Sequence, residues 1–183
     1  MNFQELILKR QSTRKFSSKP VEKDKLDLCV EAARLSPSAC NAQPWTFVVI
    51  DDEKLKNEVA SETFGMLDKF NKFTLNAPVI VVIVMEKANI TSQIGTAFKK
   101  IDFPLIDIGI AATHFCLQAA ELDLGTCMIG WFNEKPIKKI LNISDKKTIA
   151  LLISVGYPDA EKLRVKARKE TSNMSSFNGY KTK

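Results

Sequence analysis

The chain has one histidine, four cysteines without a C-x-x-C pair, and seven glycines without a G-x-G-x-x-G run. Each absence removes a class of function. A serine hydrolase would need His114 as its base, yet no G-x-S-x-G elbow occurs, and Asp107 stands seven residues away on the same expected helix. A metal site is not expected. His114 and Cys116 sit two apart on a helix and point to different faces, and Cys29, Cys40 and Cys127 have no ligand neighbour at metal spacing. The cysteines read as small core residues, Cys40 in its polar loop being the exception. Gly125 and Gly130 have the outer spacing of a phosphate loop but lead into Trp131 and Phe132 instead of Lys and Ser/Thr. The longest apolar stretch, residues 77–85 with Pro78 inside it, falls well short of the ~20 residues of a membrane span. The first ten residues carry Glu5, Lys9 and Arg10 and no apolar signal core, so a cytoplasmic, reducing setting is expected.

What is present describes an ordinary globular chain. Its 183 residues are 45% apolar and 26% charged, which fits a single domain over 1–183 with a core large enough to fold without staples. The net charge of +6 is unevenly spread. Residues 1–25 hold seven basic and three acidic side chains, residues 161–183 hold seven and two, and the rest hold thirteen and sixteen. Two basic ends around a slightly acidic middle suggest one confined anionic ligand, provided the ends converge; a basic surface throughout would instead suggest nucleic acid. A chain poor in histidine, nucleophiles and metal ligands can still be an enzyme when a bound cofactor supplies the chemistry.

Periodicity places the elements. Asn2 caps a first helix, with Glu5 completing the cap, and the helix ends near Arg10. A second helix over 22–35 carries the stripe Leu26, Cys29, Val30, Ala33 and is stopped by Ser36 and Pro37. The polar loop 36–44 leads into a strand at 45–50, and a short surface helix follows over 52–60. Phe64, Leu67, Phe70 and Phe73 stand at helical spacing and read as a core stripe or, otherwise, a lid lining. Residues 78–85 form the central strand, buried on both faces. After a polar, variable stretch over 86–100, the longest helix runs from about 105 to 122 and ends on Gly125 as its cap. Pro136 opens a further short helix, and 148–155 is another buried strand. Alternating helices and strands taken alone favour an α/β fold with a parallel sheet.

Five motifs in order, spread over essentially the whole chain, give a more specific reading. They are Arg10-Gln11-Ser12-Thr13-Arg14, Pro37-Ser38-Ala39-Cys40-Asn41-Ala42-Gln43-Pro44-Trp45, Gly125-Thr126-Cys127-Met128-Ile129-Gly130, Gly156-Tyr157-Pro158 and Lys166-Ala167-Arg168. Together they resemble the FMN-dependent nitroreductase family.

The resemblance implies an α+β fold instead: a three-layer sandwich with a mixed central sheet flanked by helices, in a domain-swapped homodimer whose C-terminal arm, about 159–183, embraces the partner. It implies FMN as cofactor and NADH or NADPH as donor. The activity it implies is reduction of nitroaromatic, quinone or related acceptors by a ping-pong mechanism. Arg10, Ser12, Lys166 and Arg168 are implied to hold the FMN phosphate. Arg14 reaches either that phosphate or the pyrimidine edge of the flavin, where positive charge favours the anionic reduced ring. Pro37, Ser38, Ala39 and Asn41 are implied to touch FMN across the dimer, Met128, Ile129 and Gly130 to line the ring near N5, and Asn71 to supply an amide. No protein acid or base is required when the flavin performs the chemistry. The chain is short through 86–104, where larger members carry a helical excursion over the substrate channel. Two alternatives remain: a same-fold FMN enzyme with dehalogenase or heterocycle-oxidase chemistry, and a basic nucleic-acid-binding module.

Overall fold

In the computed structural model the described residues are 1–65, 69–87, 101–159 and 163–180. The valine and isoleucine run at the middle of the sequence becomes β2 (Val79–Met85), where every side chain but the last is buried. Its neighbours are β1 (Trp45–Ile50) on one side and β4 (Thr148–Gly156) on the other, with β3 (Gly125–Ile129) at the far edge, giving the order β1-β2-β4-β3. All three ladders are antiparallel. The parallel component expected of a mixed sheet is one isolated bridge between Ser12 and Thr126. The reason is topological. β2 and β3 do run the same way, joined by a helical crossover, but β4 is inserted between them and pairs with each in the opposite sense. The parallel α/β sheet suggested by alternation alone is therefore replaced by an antiparallel α+β arrangement.

Alternate residues of β2 feed two cores, as a period of two requires. Val79, Val81 and Ile83 join Ile153 and Val155 beneath α2 (Lys23–Arg34) and α4 (Phe103–Glu121); Ile80, Val82 and Val84 join Leu152 and Ile149 beneath α3 (Glu53–Ser61) and α5 (Glu134–Ile140). Helices on both faces of one sheet make the three layers. Among the described residues α4 has the length and apolarity to cross a bilayer. Here its Ile108, Ala112, Phe115 and Ala119 are packed in the first core, where Phe115 stacks on Phe47 with ring centroids 5.9 Å apart.

The first helix, α1 (Phe3–Lys9), has the expected cap: Asn2 accepts from the Glu5 amide, and Glu5 accepts from the Asn2 amide, both at 2.9 Å. Three sequence expectations change. The long helix does not end on Gly125; Asp123 takes the left-handed position (φ 62°), Leu124 donates to Ala119, and Gly125 already belongs to β3. The helix expected to open at Pro136 starts two residues earlier, at Glu134, whose carboxyl accepts from the Ile149 amide and ties α5 to β4. The aromatic stripe is not a core unit, since Phe70 is 85% exposed while Phe73 packs partly buried on the second core. Leu67 and most of the polar stretch, 88–100, lie outside the described residues.

A polar staple joins the start of α2 to the end of β4. Tyr157 donates its hydroxyl to Glu22 and accepts from Lys25, both at 2.6 Å, while the Lys19 ammonium lies 3.9 Å above the tyrosine ring. The Tyr157 hydrogen bond, foremost among several, holds the Glu22 carboxyl down at about 2. A depressed acid contributes stability that is fully present above its ordinary value of 4.5 and is lost as the pH falls from there through about 2. In Tyr157→Phe, Glu22 is expected to titrate closer to 4.5, which carboxyl chemical shifts followed by NMR will report; an unmoved titration would assign the depression elsewhere.

Candidate functional site

The two basic ends of the chain meet. The Lys166 ammonium donates to the carbonyls of Ile7 and Leu8 in the last turn of α1, where a helix presents unpaired carbonyls and partial negative charge. Arg164 donates its backbone N–H to Gln11 Oε1 at 3.1 Å and its guanidinium to the Ser12 carbonyl. The tail is thus stitched along residues 7–12. Between them lies a groove of about 280 Å³, lined by Arg10, Ser12, Arg14, Arg164, Lys166 and Arg168 together with Gln11, Val165 and Ala167, with no acidic residue in its lining among the described residues. Burial, followed by the positive charges of Arg10 and Arg168, pushes the Lys166 ammonium below the usual lysine range. Several cations gathered in one groove form a site complementary to a polyanionic group such as a phosphate.

The 12–14 segment, whose Ser12 and Arg14 line this groove, is seated by a close backbone approach. Thr13 donates its N–H to the Thr126 carbonyl at 2.8 Å and is 1% exposed. A Cβ on Gly125 would lie 2.5 Å from Thr13 Oγ1, so only glycine lets the 12–14 segment lie against β3. That contact carries Ser12 and Arg14 to the edge of the sheet.

At the other end of β3, Met128 is 40% exposed and Gly130 has no atom within 4 Å of where a Cβ would stand. Ile129 is buried in the second core, leaving its backbone as the part that can face a ligand. Asn71 donates Nδ2 to the carbonyls of Thr63 and Trp131, both at 3.1 Å. Whatever Asn71 offers a ligand it therefore offers as an acceptor, through Oδ1. Arg14, which also lines the basic groove, has its guanidinium carbon 5.9 Å from the Phe73 ring centroid.

Pro37, Ser38, Ala39 and Asn41 do not line the groove of their own chain. They form a strained turn after α2, in which Cys40, Asn41 and Gln43 hold φ of 51°, 52° and 46°. Ser38 Oγ accepts from the Gln43 amide, and Asp107 Oδ1 on α4 accepts from the Ala39 amide, each at 3.0 Å.

Other candidates resolve into structural roles. Burial pushes the thiols of Cys29 and Cys116 up to about 12 and about 11, as suits inert core residues, and it raises Cys127 as well. His114 Nδ1 pairs with the Ile110 carbonyl of its own helix at 3.0 Å. Among the described residues no group of three His, Cys, Asp or Glu could hold a metal. Arg164 and Gln11 line the groove, Thr13 seats the 12–14 segment against β3, and Asp107 holds the turn over 38–41. Gln11 and Thr13 stand in the Arg10–Arg14 motif and Arg164 in the basic tail, whereas nothing in the sequence ties Asp107 to the turn.

Comparison with known proteins fits this geometry. A model of the "Nitroreductase family" matches residues 7–157. The crystal structure of an FMN-dependent nitroreductase from Clostridium difficile R20291 superposes with a TM-score of 0.78 at 31% identity, covering 96% of this chain and 98% of that one. An oxygen-insensitive NADPH nitroreductase of Helicobacter acinonychis is 25% identical over 83% of this chain and 85% of its own length. The iodotyrosine deiodinase of Thermotoga neapolitana is 24% identical over 86% of this chain and 89% of its own.

Proposed function

This chain belongs to the nitroreductase family and is a flavin-dependent NAD(P)H oxidoreductase; from that premise we propose how its residues hold FMN and which acceptors it reduces. A bound FMN supplies the two-electron redox chemistry, and the polypeptide supplies binding, orientation and charge. The observation that carries the reading is the convergence of both basic ends on one groove whose described lining holds no acidic residue. Arg10, Ser12, Arg14, Lys166 and Arg168 hold the phosphate, with Arg164 beside them. The ring lies along Met128, the Ile129 backbone and Gly130, and Asn71 Oδ1 accepts from its N–H. Nicotinamide and acceptor then take turns on the same face, a geometry that needs only apolar residues and backbone groups around it.

The functional unit is a homodimer in which Pro37, Ser38, Ala39 and Asn41 reach the other copy's cofactor and the arm over 159–183 is exchanged. Exposed apolar residues support this reading. Phe3 and Leu8 on α1 are 64% and 65% exposed, and Val165, Phe177 and Tyr180 on the arm are 90% exposed or more. Surfaces of this kind mark association.

The purified protein is expected to show a flavin spectrum, retained or restored by added FMN, that bleaches with NADH or NADPH under anaerobic conditions. A colourless protein that takes up no flavin would reject the proposal. Steady-state rates against a nitroaromatic or quinone are expected to give parallel double-reciprocal lines, and intersecting lines would rule out the shared site. Similarity to a deiodinase favours reductive dehalogenation of aromatic compounds as a second acceptor class, tested by halide release from a halogenated tyrosine.

A further inference from the structure

Asp107 is the buried polar side chain that keeps an unpaired atom among the described residues: its Oδ2 has no hydrogen-bond partner. The residue is 3% exposed on α4, and among the described residues its Oδ1 accepts from Ala39 N–H at 3.0 Å. A carboxyl in this position gives up more hydration than one hydrogen bond returns, so an apolar residue would serve the core better. The turn it holds is unfavourable as well, with three L residues within four positions in left-handed conformations. Two unfavourable features that meet at one hydrogen bond indicate a shape held for a purpose other than stability.

We propose that Asp107 is a positioning residue for the cofactor, fixing the turn over 38–41 in the form that FMN meets. This rests on the reading that the turn contacts the flavin bound to the second copy. The turn closes on itself through Asn41 N–H to the Ser38 carbonyl and Ala42 N–H to the Ala39 carbonyl, both at 3.0 Å. Those bonds set its local shape but not its place in the molecule. The Ala39 bond to Asp107 ties that shape to the central helix, so the backbone is ordered before the ligand arrives and less binding free energy goes into ordering it. Asp107 itself does not touch the cofactor.

The test compares Asp107→Ala with Asp107→Asn as apo proteins, reading FMN affinity by flavin fluorescence, thermal unfolding, and mass in solution. In Asp107→Ala the unfolding temperature is expected to hold or rise while FMN binds about tenfold more weakly, because the freed turn must be ordered on binding. Asp107→Asn keeps a carbonyl acceptor for Ala39 and is expected to bind FMN within about threefold of the unsubstituted protein. Unchanged affinity in the alanine variant overturns the inference, as does equal weakening in both variants. Loss of folding or of stability in step with affinity would make Asp107 a structural residue and also overturn it. Failure of the unsubstituted protein to bind FMN would instead strike down the functional reading on which the inference stands.

Discussion

Replacing Arg10 and Arg168 together with alanine is expected to weaken FMN binding by about 10²-fold while leaving the apo protein folded. Hydrogen bonds to charged groups contribute about 1.5–3 kcal/mol each, and two of them, discounted for the exposure of the groove, still amount to about two decades in Kd. Neither side chain is committed to the fold. Arg168 donates to the carbonyl of its own neighbour Ala167, and Arg10 lines the groove. Lys166 is a poorer choice for this test, because its ammonium also holds the Ile7 and Leu8 carbonyls at the end of α1. Lys166→Ala would therefore mix lost binding with a frayed helix. Titration of the apo protein with FMN at two salt concentrations measures the effect, and the unsubstituted protein should show the steeper salt dependence. Equal affinity in the double variant would remove the groove as the phosphate site.

Gly125→Ala is expected to destabilise the protein by about 1–3 kcal/mol, at the upper end of that range, and to abolish cofactor binding with it. The added Cβ would meet Thr13 Oγ1, Cβ and Cγ2 at 2.5, 2.7 and 2.8 Å. None of these is the far end of a flexible chain, and Thr13 is fully enclosed. The strand and the 12–14 segment must separate, carrying Ser12 and Arg14 away from the groove. For a chain of this size the midpoint of unfolding should fall by about 2–4 °C per kcal/mol. Gly130→Ala is the control: it meets open space, and its stability should stay within about 0.5 kcal/mol of the parent. A midpoint drop in Gly125→Ala no larger than in that control would show that the close approach is not needed.

Local structure is legible in the sequence. The Asn2 and Glu5 cap, the limits of β1 and the two-faced burial of β2 all follow from short-range chemistry: a side chain that reaches an amide three residues on, or a β-branched run with no polar face to spare. Short-range signals do not carry a role that is set by a distant segment. Gly125 looks like a helix terminator because it follows a long helix, but its lack of a side chain serves Thr13, more than a hundred positions away. Asp123 provides the left-handed turn instead. The sheet looks parallel because helices alternate with strands, and it is antiparallel because β4, last in the chain, enters between β2 and β3.

The candidate site divides along the same line. The sequence alone shows one histidine, no metal or nucleophile motif and a surplus of positive charge at the two ends, and the ordered motifs point to the nitroreductase family. Whether those ends enclose one anion is decided by the tertiary structure, through Lys166 on the end of α1 and Arg164 on Gln11 and Ser12, contacts that span some 150 residues. The Asp107 bond to Ala39 is of the same kind. Amino-acid order determines which groups a protein has and which local shapes they favour. Convergence of distant groups depends on loop closure and on burying both faces of β2, and only the packed sheet and helices satisfy both at once.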